Sequence, residues 1–214
     1  MRFPAIRLAL VLCVSLASGC SVGSSAGTGG GPGSTSSGAT VASVSSVASG
    51  ATTSATAGTG TGTFTLTSPE LGAGAMFSPA NTCKGTNVSP SLDWTPGPPS
   101  TQSYAVVLTD KSINLVHWGI WDIPASLTGL PADVQKAYLP ANVSGAMQSL
   151  AYDNQTRGYL GPCPPSLHTY ELDLYALDTA SVPGLDTNTT RAQAVTVILA
   201  HQVASAALMG TAMP

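Results

Sequence analysis

Charge is scarce in this chain. Only 8% of its 214 residues are Asp, Glu, Lys or Arg, and seven are basic. Arg2 and Arg7 sit at the very start, and the other five (Lys84, Lys111, Lys136, Arg157 and Arg191) are scattered singly. With a net charge of −3 there is no basic footprint for nucleic acid and no cationic stripe for an anionic membrane surface. No Cys-x-x-Cys or His-x-x-x-His spacing occurs, which argues against a structural zinc site. Residues 63–214, which hold all three histidines, contain no Gly-x-Ser-x-Gly elbow, so the usual signature of a serine hydrolase is missing. The longest N-terminal apolar run, Leu8 to Leu16, is far short of the roughly 20 residues that span a bilayer.

What is present falls into three parts. Residues 1–19 carry Arg2 and Arg7, then the short apolar run, then Ala17-Ser18-Gly19 before Cys20. Charge, apolar core and small residues in that order read as a secretory signal. Small residues and Gly before Cys resemble the bacterial lipobox, which implies cleavage before Cys20 and a lipid on its thiol. The alternative is ordinary secretory cleavage that leaves Cys20 free. Residues 21–62 hold only Ser, Gly, Thr, Ala, Val and Pro32. Such a segment buries too little apolar surface to offset the entropy of ordering, so a disordered tether is expected. Residues 63–214 are enough for one domain with a real core. Loss of Arg2 and Arg7 with the signal takes the net charge from −3 to −5. Cys13 leaves with the signal and Cys20 takes the lipid. Cys83 and Cys163 remain, either as a pair in an oxidising compartment or as two free buried thiols.

The domain reads as mainly β. Phe64–Thr67, Ser89–Trp94, Ser103–Asp110, Val116–Ile123 and Thr169–Leu177 are strand candidates, the last three rich in β-branched and aromatic residues. Residues 125–160 are turn-rich and yield no clear element. Several strands with long irregular connections suggest an antiparallel sandwich. Thr190-x-x-Gln193 fits a capping box. From there Val195, Leu199, Val203 and Ala206 follow helical spacing, with Gly210 as the expected stop.

The densest chemistry lies in Gly161-Pro162-Cys163-Pro164-Pro165-Ser166-Leu167-His168-Thr169-Tyr170. Three prolines within four residues make a stiff, non-helical loop. It feeds a strand on which His168 and Tyr170, two apart, share a face. Asp110 closes one strand and His117 opens the next, so both belong at one end of the sheet.

These segments resemble the phosphatidylethanolamine-binding protein family, in its bacterial Raf-kinase-inhibitor-like (YbhB/YbcL) group. Four motifs occur in order: Cys83-Lys84-Gly85-Thr86-Asn87-Val88-Ser89-Pro90-Ser91-Leu92-Asp93-Trp94, Val107–Asp110, His117-Trp118 and Gly161–Tyr170. The resemblance implies a Greek-key-like sandwich with a C-terminal helix. It also implies a ligand site built from Asp110, His117, Trp118, Gly161, Pro164, His168 and Tyr170, with Trp118 and the prolines as an apolar rim. The implied ligand is a phosphate or phosphorylated head group, with no cofactor. Both cysteines fall in motifs that the family places near the pocket, which implies a Cys83–Cys163 disulfide. Some relatives inhibit kinases or proteases. An exported protein meets no cytoplasmic kinase, so only an inhibitor or interaction role toward an envelope protein is kept as an alternative. A hydrolase using Ser166 is the second alternative. Two positions depart from the family pattern. Asp110-Lys111-Ser112-Ile113-Asn114 stands for Asp-Pro-Asp-Ala-Pro, and His168-Thr169-Tyr170 for His-Arg-Tyr. An Asp and an Arg lost together, at Ser112 and Thr169, is coherent if the two normally pair. His201, Asn87, Pro90 and Trp94 read as structural.

The lipobox reading has a direct consequence. Cys20→Ser is expected to leave the precursor unprocessed by the lipoprotein peptidase and without lipid. Metabolic labelling with a radioactive fatty acid, followed by fractionation, checks this, and equal labelling of the variant and wild type would refute it.

Overall fold

A computed structural model describes residues 62–214, and the signal and all of the tether but its last residue lie outside these residues. Two antiparallel sheets form the domain. The smaller contains β1 (Leu66–Thr67), β2 (Leu92–Trp94) and β5 (Gly129–Leu130) in the order β1-β2-β5. The larger contains β3 (Ser103–Asp110), β4 (Leu115–Pro124), β6 (Met147–Gln148), β7 (His168–Leu177) and β8 (Gln202–Ala212), in the order β6-β4-β3-β7-β8. A helix, α1 (Arg191–Ala200), links β7 to β8.

The strand pattern follows from what each face meets. β3 is buried along its whole length because it is covered on both sides. Tyr104, Val106 and Leu108 face the small sheet and join Leu66, Leu92, Trp94 and Leu130 in the main core. Ala105 and Val107 face the other way and pack with Trp121, Ala194 and Ile198 under α1. β7 alternates more openly. Tyr170, Leu172, Leu174 and Ala176 are buried, while Glu171, Asp173 and Tyr175 are only partly covered. The register pairs Leu108 with Leu172 and Asp110 with Tyr170. The inner apolar row therefore runs straight into the polar pair at the end of the sandwich.

The C-terminal segment departs from the expected helix. The capping box is present: Gln193 N–H donates to Thr190 Oγ1, and Gln193 Oε1 accepts from Thr190 N–H at 3.0 Å. The helix ends at Ala200, however, and Val203 and Ala206 belong to β8. Helical spacing in that run is overridden by pairing. β8 matches β7 from His168↔Ala212 to Leu177↔Gln202, satisfying an edge that would otherwise expose ten residues of backbone. Period-two order was also legible there, since Ala204, Ala206, Leu208, Gly210 and Ala212 share the inner face. Gly210 is not a stop signal. A Cβ at this position would lie 2.7 Å from the Phe77 ring, so glycine is what lets Phe77 pack on the sheet. His201 caps the helix, and its Nδ1 lies within hydrogen-bond distance of Asp178 Oδ1 at 2.9 Å, a structural role as expected.

Cys83 and Cys163 form a disulfide, with Cα atoms 5.3 Å apart. It closes a loop between positions 80 residues apart in sequence. Cross-linking a loop of that size restricts the unfolded chain by about 4–5 kcal/mol in the entropic limit, with roughly 2–4 kcal/mol typical. Replacing both cysteines by Ser is therefore expected to lower Tm by roughly 5–15 °C for a domain of this size. Differential scanning calorimetry checks this, and a Tm unchanged within a degree would show that the bridge contributes nothing to stability.

Candidate functional site

Four segments meet at the end of the sandwich: the end of β3, the start of β4, the proline loop before β7, and the turn carrying Tyr152. Together they line a cavity of about 100 Å³ with Asp110, His117, Tyr152, Pro164, His168 and Tyr170. Ile113, Leu115, Cys163 and Pro165 complete its wall. Ligand pockets for drug-sized molecules run to about 300–1,000 Å³, so this one has room only for a small group.

Each polar side chain has a specific cause for its position. Asp110 continues the inner row of β3 and is only 2% exposed. His117 is the extra residue of a β-bulge. The register passes from Leu108↔Trp118 to Thr109↔Val116, so His117 has no partner across the strand. A bulge re-aims the side chain it carries. Here it turns His117 against Tyr170 and Tyr152, with ring centroids 5.3 and 4.2 Å away. His168 opens β7, and its Nδ1 lies 2.7 Å from Asp110 Oδ2.

The proline loop is held from outside the cavity. Gly161 N–H donates to Asn87 Oδ1 at 2.7 Å, and Cys83 N–H donates to the Pro162 carbonyl at 3.0 Å. A Cβ at Gly161 would overlap the Asn81 carbonyl, which also accepts from Tyr159 Oη at 2.7 Å. Gly161 thus supports the loop from behind and does not line the cavity. Asn87, which reads from sequence as a turn residue, is also the bracket for this loop and has φ of 58°.

Trp118 is a correction to the expected rim. It is fully buried in the main core, its Nε1–H donates to Gln148 Oε1 at 2.8 Å, and its ring meets Tyr159 edge-on. The bulge that aims His117 at the cavity seats Trp118 among the core side chains. Tyr152 is the residue that sequence reasoning missed. It comes from the turn-rich stretch where no periodicity marks a position, and its ring packs directly on His117. Ser166 is exposed and outside the lining. The two family departures meet: Thr169 N–H donates to Ser112 Oγ at 3.0 Å.

The electrostatics follow from burial and hydrogen bonding. Burial raises the Asp110 carboxyl, but hydrogen bonds from His168, Tyr170 and the Ser112 N–H outweigh it and hold the group below its ordinary value. Burial and the adjacent Asp110 push the Tyr170 phenol well above its ordinary value. Burial dominates at His117 and lowers it, against a smaller opposing effect of the Leu160 carbonyl. That carbonyl can only accept, so His117 Nδ1, 3.3 Å away, carries a proton. The Asp110 carboxylate likewise fixes the proton on His168 Nδ1. Both rings therefore leave Nε2 without a protein partner among the described residues. No cluster of three or more His, Cys, Asp or Glu suited to a metal ion occurs among the described residues.

Residues 67–213 match the family model described as phosphatidylethanolamine-binding protein. The chain belongs to this family. Its relatives include the UPF0098 protein YbcL of Escherichia coli, 32% identical over 155 residues, which cover 67% of this chain and 84% of YbcL. A UPF0098 protein of Methanothermobacter thermautotrophicus is 38% identical over 134 residues, covering 60% of this chain and 85% of the relative. Mycobacterium tuberculosis has a relative named "Putative lipoprotein LppC", 34% identical over 154 residues, which cover 69% of this chain and 71% of that protein. The crystal structure of E. coli YbcL superposes with a TM-score of 0.64 at 30% identity, covering 71% of this chain and 98% of YbcL. The sandwich read from the strands is thus the fold of the family.

The lowered His117 makes stability depend on pH. Its folded-state value lies below its unfolded value of about 6.5, so the unfolded chain binds more protons in that interval. Stability is full above about pH 6.5 and is expected to fall as pH drops from there toward the folded value. Urea unfolding across this range should show the decline in wild type and a smaller one in His117→Gln. Identical pH profiles for the two proteins would contradict the assignment.

Proposed function

We propose that the domain is a non-catalytic receptor for a small anion of the phosphate or phosphorylated head-group type, held at the cell envelope by Cys20. One observation carries the reading. The Asp110–His168 pair and His117 present two imidazoles with Nδ1–H engaged and Nε2 unclaimed, in a cavity sized for one small anion. An anion needs donors, and a neutral ring with its proton on Nδ1 offers none at Nε2. Binding therefore requires a second proton on the imidazole, and the Asp110 carboxylate lies against the His168 ring. The family's name as a phosphatidylethanolamine-binding group supports the ligand class. The lipoprotein name of the mycobacterial relative supports the tether.

The lining supports binding over catalysis. An Asp–His pair is two-thirds of a nucleophile-activating triad, yet no serine or threonine lines the cavity and the Cys163 thiol is committed to the disulfide.

The test is titration with inorganic phosphate and with O-phosphorylethanolamine, followed by the histidine NMR resonances. His117 and His168 are expected to shift while His201 does not. His168→Ala should weaken binding at least about tenfold, the scale of one lost charge-assisted hydrogen bond. Because the bound rings must take up protons, affinity should fall as pH rises. Unchanged binding in His168→Ala, or shifts confined to His201, would overturn the proposal.

A further inference from the structure

The anion cavity shares Leu115 with a second cavity of about 440 Å³, lined by Asn114, Leu150, Asn154, Asn188 and Arg191 among others. Arg191 is half-buried and forms no ion pair among the described residues. Its Nη1 is held by three neutral oxygens: the Leu150 and Ala151 carbonyls and Asn154 Oδ1. Nε and Nη2 have no acceptor among the described residues. That free edge is the one through which a guanidinium grips a carboxylate or phosphate with two parallel hydrogen bonds.

A half-buried cation with only neutral partners has lost part of its hydration without gaining a counter-charge, and an incoming anion would supply one. The carboxylate whose charge Arg191 feels, Asp153, is occupied by its own turn, accepting from Gln155 N–H, Thr156 N–H and Thr156 Oγ1. The start of α1 adds no free cap, because Thr190 and Gln193 satisfy each other. Arg191 is close enough to His117 for its charge to disfavour the protonated ring. The two cavities are therefore neighbours both in their walls and in their electrostatics.

We infer that the ligand of the His117–His168 pocket is a phosphate ester bearing a second anionic group, in the simplest case a carboxylate, and that Arg191 receives that group. This rests on the anion-pocket reading and extends it from a small ion to a two-headed ligand whose body crosses Leu115. Beside the apolar Leu115, Val116 and Leu150, the Asn114 and Asn188 side chains offer partners to a hydroxylated or amino-substituted body.

Matched probes differing only by the carboxylate test it: O-phosphoserine against O-phosphorylethanolamine, and, for a longer reach, 6-phosphogluconate against sorbitol 6-phosphate. In at least one pair the carboxylate-bearing probe should bind about tenfold tighter, the scale of one charge-assisted contact. Arg191→Gln should erase that advantage, so that the two probes of the pair bind equally, with Arg191→Lys keeping part of it. If Arg191→Gln fails to fold, the wild-type Arg191 Nε–H resonance serves instead, moving with the carboxylate probe and not with its partner. Equal affinities within both pairs, or an advantage that survives Arg191→Gln, would overturn the inference. If that equal binding still depends on His168, the anion pocket stands and only its extension fails. If no probe and no inorganic phosphate binds, both readings fail together.

Discussion

A buried carboxylate sets the terms for this domain. Asp110 lies at the end of an apolar row, where water cannot solvate it, so the protein must. His168 Nδ1–H, the Tyr170 phenol and the Ser112 N–H all converge on it. Removing one partner from a buried charge of this kind typically costs about 3–5 kcal/mol. That penalty fixes the start of β7 against the end of β3, and with it the mouth of the cavity. The same solution leaves Nε2 of His168 without a protein partner, as the Leu160 carbonyl does for His117. The placing of His168 and Tyr170 at the cavity is in this sense a by-product of satisfying Asp110.

The fold was legible where side chains meet one environment along a whole strand. Ser103–Asp110 was bounded correctly from its β-branched and aromatic content, and β4 and β7 each came within a residue at either end. Legibility failed where pairing partners decide. Residues 202–212 carry both a helical spacing and a period-two spacing, and only the need of β7 for a neighbour selects the strand. Stretches of two residues such as β5 and β6 carry no periodicity at all. They exist because the neighbouring strands Leu92–Trp94 and Leu115–Pro124 offer them an edge.

The site was legible through its titratable residues and opaque through its geometry. Asp110, His117, Pro164, His168 and Tyr170 were readable as types at suggestive positions, and they share one cavity. Trp118 leaves the rim that the family resemblance implies for it, and Tyr152, which no sequence signal marks, joins the lining. Strand alternation would turn Trp118 away from His117, and only the bulge, which leaves no mark in the sequence, explains how His117 reaches the cavity while its neighbour enters the core. Ser112 and Thr169 show the opposite case. Two separate departures from a family pattern were legible as a possible coupled change, and the positions are joined by a hydrogen bond.

The disulfide divides the chain in a way that bears on how the domain is made. The loop it closes contains β2 to β6, while β1, β7, α1 and β8 lie outside it. Yet β3, inside the loop, takes β7 from outside as one of its two neighbours, and β7 in turn needs β8, the last strand in the sequence. The β6 edge of the large sheet lies inside the loop, its other side needs β7 and β8 from outside it, and the Asp110–His168 contact spans the bridge. Pairings this distant in sequence are the slow ones to form. The cavity therefore depends on a pairing that crosses the bridge: its His168 and Tyr170 take their places only when β7 joins β3.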